Sequence, residues 1–288
     1  MSPNHMMELL PSMLIPAISL LFAALVPGGT PHPGVDSLRV PILVYHNIQP
    51  SDEASRIRHA ELTMTPEVFA SEMQYLKDHG IAVVSLGALV DALNGKGTIP
   101  QPAVVITFDD GRVNQYEHAF PVLKRFGYTA TFFPFTHAIG RNPRYFTWPQ
   151  LLEMQKAGMT IGSHSNLHVR VDRIHDAATW QLEIKGSRDV LREHLGTPVD
   201  FFSYPFGALA VAGDSAVRAA GYRAARAFSG GTWNRASDNW RLHAVPMTGE
   251  YSQFQRTVEP PSAASVASRP AAQKPAQHPA RRHQRAKG

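Results

Sequence analysis

The sequence contains no cysteine among its 288 residues. Disulfide frameworks, thiolate metal sites and cysteine nucleophiles are therefore all excluded. The absence of thiols is compatible with export from the cytoplasm, although many cytoplasmic proteins also lack cysteine. Any chemistry in this chain has to come from other side chains.

Basic residues are missing from the N-terminus, where Arg39 is the first Lys or Arg. The stretch from Met13 to Val26 is almost entirely apolar, which suits the core of a signal peptide and falls short of the roughly 20 residues of a spanning helix. We predict that residues 1–34 form a signal peptide or a membrane anchor. The protein is then exported and is periplasmic, extracellular or anchored facing outward. Because the usual positive flank is lacking, a buried hydrophobic element is the alternative.

Acidic residues are missing from the C-terminus after Glu259. The tail carries six Lys or Arg residues while the whole chain has a net charge of +5, so the rest of the chain sums to −1. No basic folded face is indicated, and we predict no nucleic-acid partner. Residues 259–288 are rich in Pro and Ala and are predicted to be a disordered basic tail. The tail is either simply solvated or associates with the anionic cell envelope.

Short apolar runs alternate with helix-like stretches from Val40 onward. The predicted strands are 40–45, 81–84, 103–108, 129–134, 159–163, 199–204 and 223–227. This alternation indicates βα units and a parallel sheet. We predict an α/β fold, a distorted (β/α) barrel of about seven parallel strands, within residues 35–258. Barrel enzymes build their active sites at the C-terminal ends of the strands, so polar residues there are the functional candidates.

Two adjacent aspartates, Asp109 and Asp110, follow the predicted strand 103–108. Neighbouring carboxylates repel each other and are costly to bury, and a bound divalent cation relieves both penalties. One aspartate can then bind the cation while the other acts as a base. The alternative is an ordinary turn, because Gly111 follows and Asp-Gly is a common turn sequence.

Two histidines, His164 and His168, lie four residues apart after the predicted strand 159–163. Imidazole and carboxylate form a zinc-type ligand set, and two histidines with one aspartate leave coordination positions open for catalysis. The alternative is a pair of ordinary surface histidines in a chain that has 14 of them. The metal interpretation gains weight because the aspartates and histidines follow strands of one predicted barrel.

A third segment, Tyr204-Pro205-Phe206-Gly207, comes at the end of the predicted strand 199–204. Aromatic rings pack well against the apolar faces of sugars, and tyrosine adds a hydroxyl group. We therefore predict that these four residues bind substrate. The alternative is a core strand followed by a turn.

The three segments together resemble the first motifs of the polysaccharide deacetylases of the NodB-homology type, carbohydrate esterase family 4. They read Thr-Phe-Asp-Asp-Gly, Ser-His-Ser-Asn-Leu-His and Tyr-Pro-Phe-Gly. The resemblance implies a NodB-homology barrel in which Asp109 is the catalytic base and Asp110, His164 and His168 hold a divalent metal ion. Zinc is the default ion, and nickel, cobalt and iron suit the same ligands. The implied activity is removal of acetyl groups, above all N-acetyl groups, from a carbohydrate polymer.

The catalytic acid has two candidates, His46 and His243. Many family members use a late Leu-x-His motif, but here Leu242 directly precedes His243. His46 follows the first predicted strand, as in the subgroup that acts on poly-β-1,6-N-acetylglucosamine, and we prefer it; a structural histidine is its alternative. That subgroup also lacks the arginine that supports the base in other relatives, and Arg226 is the candidate to replace it.

The polymer is left open by the sequence, since poly-N-acetylglucosamine, peptidoglycan, chitin oligomers and acetylated xylan all fit. Two other functions are also open. One is a metal-dependent barrel amidohydrolase of a small C–N substrate, and the other is a carbohydrate-binding domain without activity. The complete set of aspartates and histidines argues against the second, because a domain without catalysis has no need to keep it.

Overall fold

The computed structural model describes residues 37–51 and 60–260. Most of its strands are short, and most residues of the barrel strands are buried. In chain order they are β1 Leu38–Arg39, β2 Ile42–Tyr45, β3 Asn47–Ile48, β4 Thr63–Met64, β5 Ala82–Val83, β6 Ala103–Asp110, β7 Thr131–Pro134, β8 Thr160–Ile161, β9 Phe201–Ser203, β10 Ala224–Phe228, β11 Trp233–Asn234 and β12 Leu242–Pro246.

The helices lie between the strands, as βα units require. They are α1 Pro66–Asp78, α2 Leu86–Leu93, α3 Phe120–Phe126, α4 Trp148–Lys156, α5 Ala177–Trp180, α6 Ser187–Leu195, α7 Val211–Ala219 and α8 Tyr251–Val258. Two π-helical segments, Gln115–Ala119 and Gln181–Gly186, run directly into α3 and α6. Thr65 caps α1, because its hydroxyl oxygen accepts the N–H of Val68 at 3.3 Å.

Seven parallel strands form a nearly closed barrel in the order β8-β7-β6-β2-β12-β10-β9. A parallel bridge between Ser163, just after β8, and Phe202 on β9 brings the two ends of this order together. The predicted seven-stranded barrel is confirmed, with one exchange of strands. The predicted strand 81–84 pairs only with the first two residues of β6, and the unpredicted β12 occupies the place between β2 and β10.

Side chains along each barrel strand alternate between two hydrophobic cores. One core contains Ile42, Val44, Val105, Ala224 and Ala244, and α2 closes it with Leu86, Leu89 and Val90. The other core packs the remaining strand residues, such as Leu43 and Ile106, against the surrounding helices. The first core is therefore the barrel interior, and the same alternation decides which polar residues point inward at the strand ends.

The predicted leader or anchor at residues 1–34 lies outside the described residues, and so does the tail from residue 261 onward. Within residues 37–51 and 60–260, no helix has both the length and the apolar character that a bilayer crossing requires. The prediction for each terminus stays a prediction.

Candidate active site

Asp109 and Asp110 are the last two residues of β6 and occupy different environments. Asp109 continues the inward row of Val105 and is completely buried, whereas the Asp110 side chain is 15% exposed. Asp110 has a left-handed φ of 71°, which turns the chain sharply at the end of the strand. The two carboxylates therefore face different partners, as a division between base and ligand requires.

His164 and His168 converge on Asp110. The Nε2 atoms of His168 and His164 lie 3.2 Å and 3.7 Å from Asp110 Oδ1. His164 Nδ1 lies 2.8 Å from the carbonyl oxygen of Ser203, which can only accept, so Nδ1 carries the proton and Nε2 faces the site with a free lone pair. The candidate ligand atoms of the three residues all lie within 4.8 Å of one another. Their donor set and spacing fit a divalent ion.

The charge states of these residues also fit a metal site. Burial would raise the pKa of Asp110, but the hydrogen bond from His168 and the charges of the nearby histidines hold that pKa far below its usual range. Burial lowers the pKa of His164 to about 4, so its imidazole is neutral near pH 7. An ionised carboxylate and a neutral imidazole are the forms that bind metal ions.

Asp109 is held by Arg226 and Ser203. Arg226 Nη2 forms an ion pair with Asp109 Oδ1, and both side chains are completely buried. The hydroxyl of Ser203 lies 3.3 Å from each Asp109 oxygen. The suggestion that Arg226 supplies the missing cation is confirmed. Arg226 continues the inward row of Ala224 on β10, and Ser203 likewise follows the inward Phe201 on β9.

His46 lies directly after β2 and continues the inward row of Ile42 and Val44. The His46 ring is buried, and its centroid lies 5.8 Å from that of the Phe228 ring. Burial lowers the pKa of His46. Gln115 Nε2 donates to the main-chain oxygens of His46 at 2.7 Å and Asp109 at 2.5 Å, so it ties the two strand ends together. Gln115 was not predicted, because these contacts depend on the pairing of β2 with β6.

Residues 96–225 match the family model described as polysaccharide deacetylase. This range contains Asp109, Asp110, His164 and His168, the residues that meet at the strand ends. The match covers less than half of the chain, and over this range the chain is similar to the polysaccharide deacetylase family.

Several members of this family resemble the chain in sequence. The deacetylase YxkH of Bacillus subtilis is 28% identical over 207 residues, which cover 72% of this chain and 71% of that protein. The poly-beta-1,6-N-acetyl-D-glucosamine N-deacetylase of Staphylococcus epidermidis is 30% identical over 159 residues, 50% of this chain. The chain spans about half of that enzyme, 54% of its length, and only 30% of the Escherichia coli enzyme of the same name, at 26% identity.

Solved deacetylase structures share the fold. The Streptococcus pyogenes deacetylase PplD, solved in complex with acetate, has a TM-score of 0.70 at 24% identity and covers 77% of this chain and 99% of its own. IcaB from Ammonifex degensii has a TM-score of 0.66 at 24% identity and covers 76% of this chain and 96% of its own. At this level of identity the comparison establishes a common barrel fold alone, and residue roles have to be argued from this chain.

The side chains of the predicted substrate-binding segment, residues 204–207, differ in their exposure. Tyr204 is completely buried and points outward with Phe202, and its hydroxyl donates to Asp214 at 3.3 Å. Pro205 is buried as well. Neither side chain is open to a groove, because strand alternation directs Tyr204 toward the helices and Ser203 toward the site. Substrate binding by these two residues stays a prediction.

Phe206 and Gly207 have separate roles in the same segment. Phe206 is 51% exposed, has a left-handed φ of 60°, and lies 4.6 Å from the His168 ring between centroids. Gly207 has no room for a side chain, since a Cβ would lie 2.8 Å from Phe228 Cβ. Phe206 is thus the member of the segment that a ligand at the metal-binding face can reach.

His243, the other candidate acid, points away from the site. It lies between the inward Leu242 and Ala244 on β12 and therefore faces outward. Its Nδ1 lies 2.5 Å from Ser229 Oγ and its Nε2 lies 3.9 Å from Asp238. The structure brings His46, and not His243, to the strand ends that carry Asp109 and Asp110.

Proposed function

We propose that this protein is a member of the polysaccharide deacetylase family and a metal-dependent N-deacetylase of a glucosamine-containing polymer. The observation that carries the proposal is the convergence of three metal-type ligand atoms beside a buried carboxylate paired with arginine. Two relatives bearing the name poly-beta-1,6-N-acetyl-D-glucosamine N-deacetylase support this polymer over the others.

Asp110, His164 and His168 would hold the ion, and zinc is the first candidate for this ligand set. A divalent ion in this position supplies Lewis-acid polarisation of an acetyl carbonyl and lowers the pKa of a bound water. Nickel, cobalt and iron suit the same donors. The exposed edges of His168 and Asp110 leave this site accessible to a substrate, with side-chain exposures of 23% and 15%.

Asp109 is the base in this proposal. It takes a proton from the water whose oxygen adds to the acetyl carbon, while Arg226 and Ser203 hold its carboxylate in place. His46 is the acid that gives a proton to the leaving nitrogen as the C–N bond breaks. The products are acetate and a free amine. Gln115 keeps the main chains of base and acid at a fixed separation.

Exposed apolar side chains near His168 suit the apolar face of a sugar ring. Phe206 and Leu167 are 51% and 46% exposed, and Phe206 packs beside His168. Aromatic faces are common platforms for sugars. Phe206 therefore replaces Tyr204 as the proposed sugar contact.

Export and envelope association belong to the same proposal. An acetylated envelope polymer is outside the cytoplasm, which agrees with a leader or anchor at residues 1–34. The basic tail after Glu259 would add weak affinity for anionic wall polymers or lipids. Removal of residues 260–288 should lower retention on isolated cell walls; unchanged retention would leave the tail without this role.

Acetate release from N-acetylglucosamine oligomers tests the function directly. The purified protein should release acetate, lose this activity after chelation, and regain it when zinc is restored. Acetylated xylan oligomers serve as the control for O-acetyl activity and should release far less. Metal binding without acetate release from any glycan would contradict the proposal and favour a hydrolase of small C–N substrates.

A further inference from the structure

Glu183 is a buried acidic residue outside every motif that the sequence indicated. It lies in the π-helical segment Gln181–Gly186, and 1% of its surface is exposed. Its Oε2 accepts the main-chain N–H groups of Asn166 at 3.0 Å and Leu167 at 2.9 Å. One carboxylate oxygen therefore holds the middle of the loop that joins His164 to His168.

This loop has an unfavourable backbone conformation that requires support. Ser165 and His168 both adopt left-handed φ values, 68° and 59°. Each such residue costs on the order of 1 kcal/mol or more when it is not glycine. The N–H of His168 donates to Ser165 Oγ at 3.0 Å, so side-chain oxygens accept the N–H groups of three successive residues. Two of those three bonds end on Glu183.

On its other side, the loop is held by hydrogen bonds that its oxygen atoms accept. The N–H groups of Thr136 and His137 donate to the carbonyls of Ser165 at 3.1 Å and Asn166 at 2.9 Å. The Thr136 hydroxyl also bonds Asn166 Oδ1 at 2.8 Å. The loop is thus clamped between the Thr136–Ala138 turn and Glu183.

The two histidines differ in how much they depend on this clamp. His164 is buried and is fixed by the carbonyl of Ser203. The side chain of His168 is 23% exposed, and its main chain follows the residues that Glu183 holds. A change at Glu183 should therefore displace His168 first.

We propose that Glu183 is a positioning residue for the metal site, which fixes His168 through the main chain of Asn166 and Leu167. This inference rests on the metal site of the proposed function. The reach of the Glu183 side chain and the two bonds accepted by its Oε2 atom carry this role. Groups that support metal ligands from outside typically change metal affinity by about 10- to 100-fold when removed.

Cobalt titration of the full-length protein tests this role independently of catalysis, through the visible absorption of the bound ion. We expect Glu183→Ala to raise the Co²⁺ Kd by about 10- to 100-fold. Glu183→Gln keeps an acceptor oxygen but not the carboxylate. Its Co²⁺ Kd should lie between those of the wild type and Glu183→Ala, raised about threefold or more. Glu193→Ala, an exposed change on α6, is the matched control and should leave the Kd unchanged. The melting temperature of each metal-free variant is measured alongside.

A merely structural role predicts lower melting temperatures with an unchanged Co²⁺ Kd, and that result would overturn the inference. If Glu183→Ala does not fold, Glu183→Gln decides: an increase of about threefold or more supports the role, and a smaller one overturns it. His168→Ala separates this question from the proposed function. Wild-type affinity in that variant would show that the ion binds elsewhere, and the metal site itself would then be wrong.

Discussion

At the scale of residues, mutations at the site should lower the free energy of unfolding most when they break the buried ion pair between Asp109 and Arg226. Removal of one partner leaves a charge without compensation, which typically costs about 3–5 kcal/mol. We expect Arg226→Met to lower the free energy of unfolding by roughly this amount. The double variant Asp109→Asn/Arg226→Met should recover much of the loss, because no buried charge remains. Urea denaturation of the wild type, Asp109→Asn, Arg226→Met and the double variant measures the coupling, and equal losses in the single and double variants would argue against it.

Substitution of each histidine tests whether His46 or His243 is the catalytic acid. General acids contribute roughly 10²- to 10⁴-fold to rates, so we expect His46→Gln to lower kcat for acetate release by that factor. His243→Gln should retain activity, because its ring faces Ser229 and Asp238. Both folds are checked by circular dichroism. Loss of activity in the His243 variant alone would reverse the assignment.

Which side chains reach the site could be predicted only in part. The aspartates and histidines were found because they follow strands in recognisable motifs. The inward direction of Arg226 and Ser203 and the outward direction of Tyr204 and His243 depend on strand alternation, which becomes decisive only once the exact strands are known. Glu183 and Gln115 support the site through hydrogen bonds with the main chain of residues distant in sequence. No local sequence pattern predicts such contacts.

At the scale of elements, the turn after β6 positions Asp110, and this turn depends on Gly111. Gly111 has a φ of 70°, and a Cβ there would lie 2.5 Å from Pro134 Cβ. Gly127 has a similar φ of 68° with nothing within 4 Å of its Cβ position, which makes it a matched control. We expect Gly127→Ala to cost about 1–2 kcal/mol, the left-handed penalty alone. Gly111→Ala should cost about 1–3 kcal/mol more, from overpacking, and should impair acetate release. Equal losses of unfolding free energy would contradict this account.

Helix α1 contains an ionisable group that couples stability to pH. Burial raises the pKa of Glu72 to about 8, and Tyr45 donates a hydrogen bond to its Oε2 at 2.8 Å. The folded state therefore holds a proton that the unfolded state releases near its ordinary pKa of 4.5. Stability from this group is complete below pH 4.5 and is lost as the pH rises through about 8.

Glu72→Gln should remove this dependence, since glutamine does not titrate. Between pH 5 and pH 8 the wild-type free energy of unfolding should fall by up to roughly 4 kcal/mol relative to the variant. Urea denaturation at a series of pH values measures the difference between the two proteins. A constant difference across this range would mean that Glu72 is ionised in the folded protein.

Element types were largely predictable, and their place in the barrel was less so. Thr65 and Pro66 in the sequence mark the start of α1, and the sequence pattern also predicts a helix over 86–93, where the structure has α2. The sequence pattern predicts continuous helices over 114–126 and 176–195. Each of these stretches contains a π-helical segment that apolar periodicity does not reveal. The predicted barrel contains the strand 81–84 and lacks β12. The sequence does not indicate β12, because it has a histidine and a proline among its five residues and no continuous apolar run.

At the scale of the whole molecule, barrel closure is what creates the site. Four different strand ends, spread between residues 46 and 226, carry His46, Asp109, His164 and Arg226. Parallel strands with their C-terminal ends on one face bring these residues together, which is why a sequence-level barrel prediction already located the site. The distances among them follow from the stagger of the closed sheet, which composition and periodicity do not determine.

Metal occupancy and acetate release, measured on the same sample of Asp109→Asn, separate metal binding from the role of the base. Asparagine keeps the size of the side chain but cannot accept the proton. We expect the variant to bind one divalent ion at Asp110, His164 and His168, and its acetate release from N-acetylglucosamine oligomers to fall by roughly 10²-fold or more. Retained acetate release by a metal-loaded variant would show that Asp109 is not the base and would contradict the account.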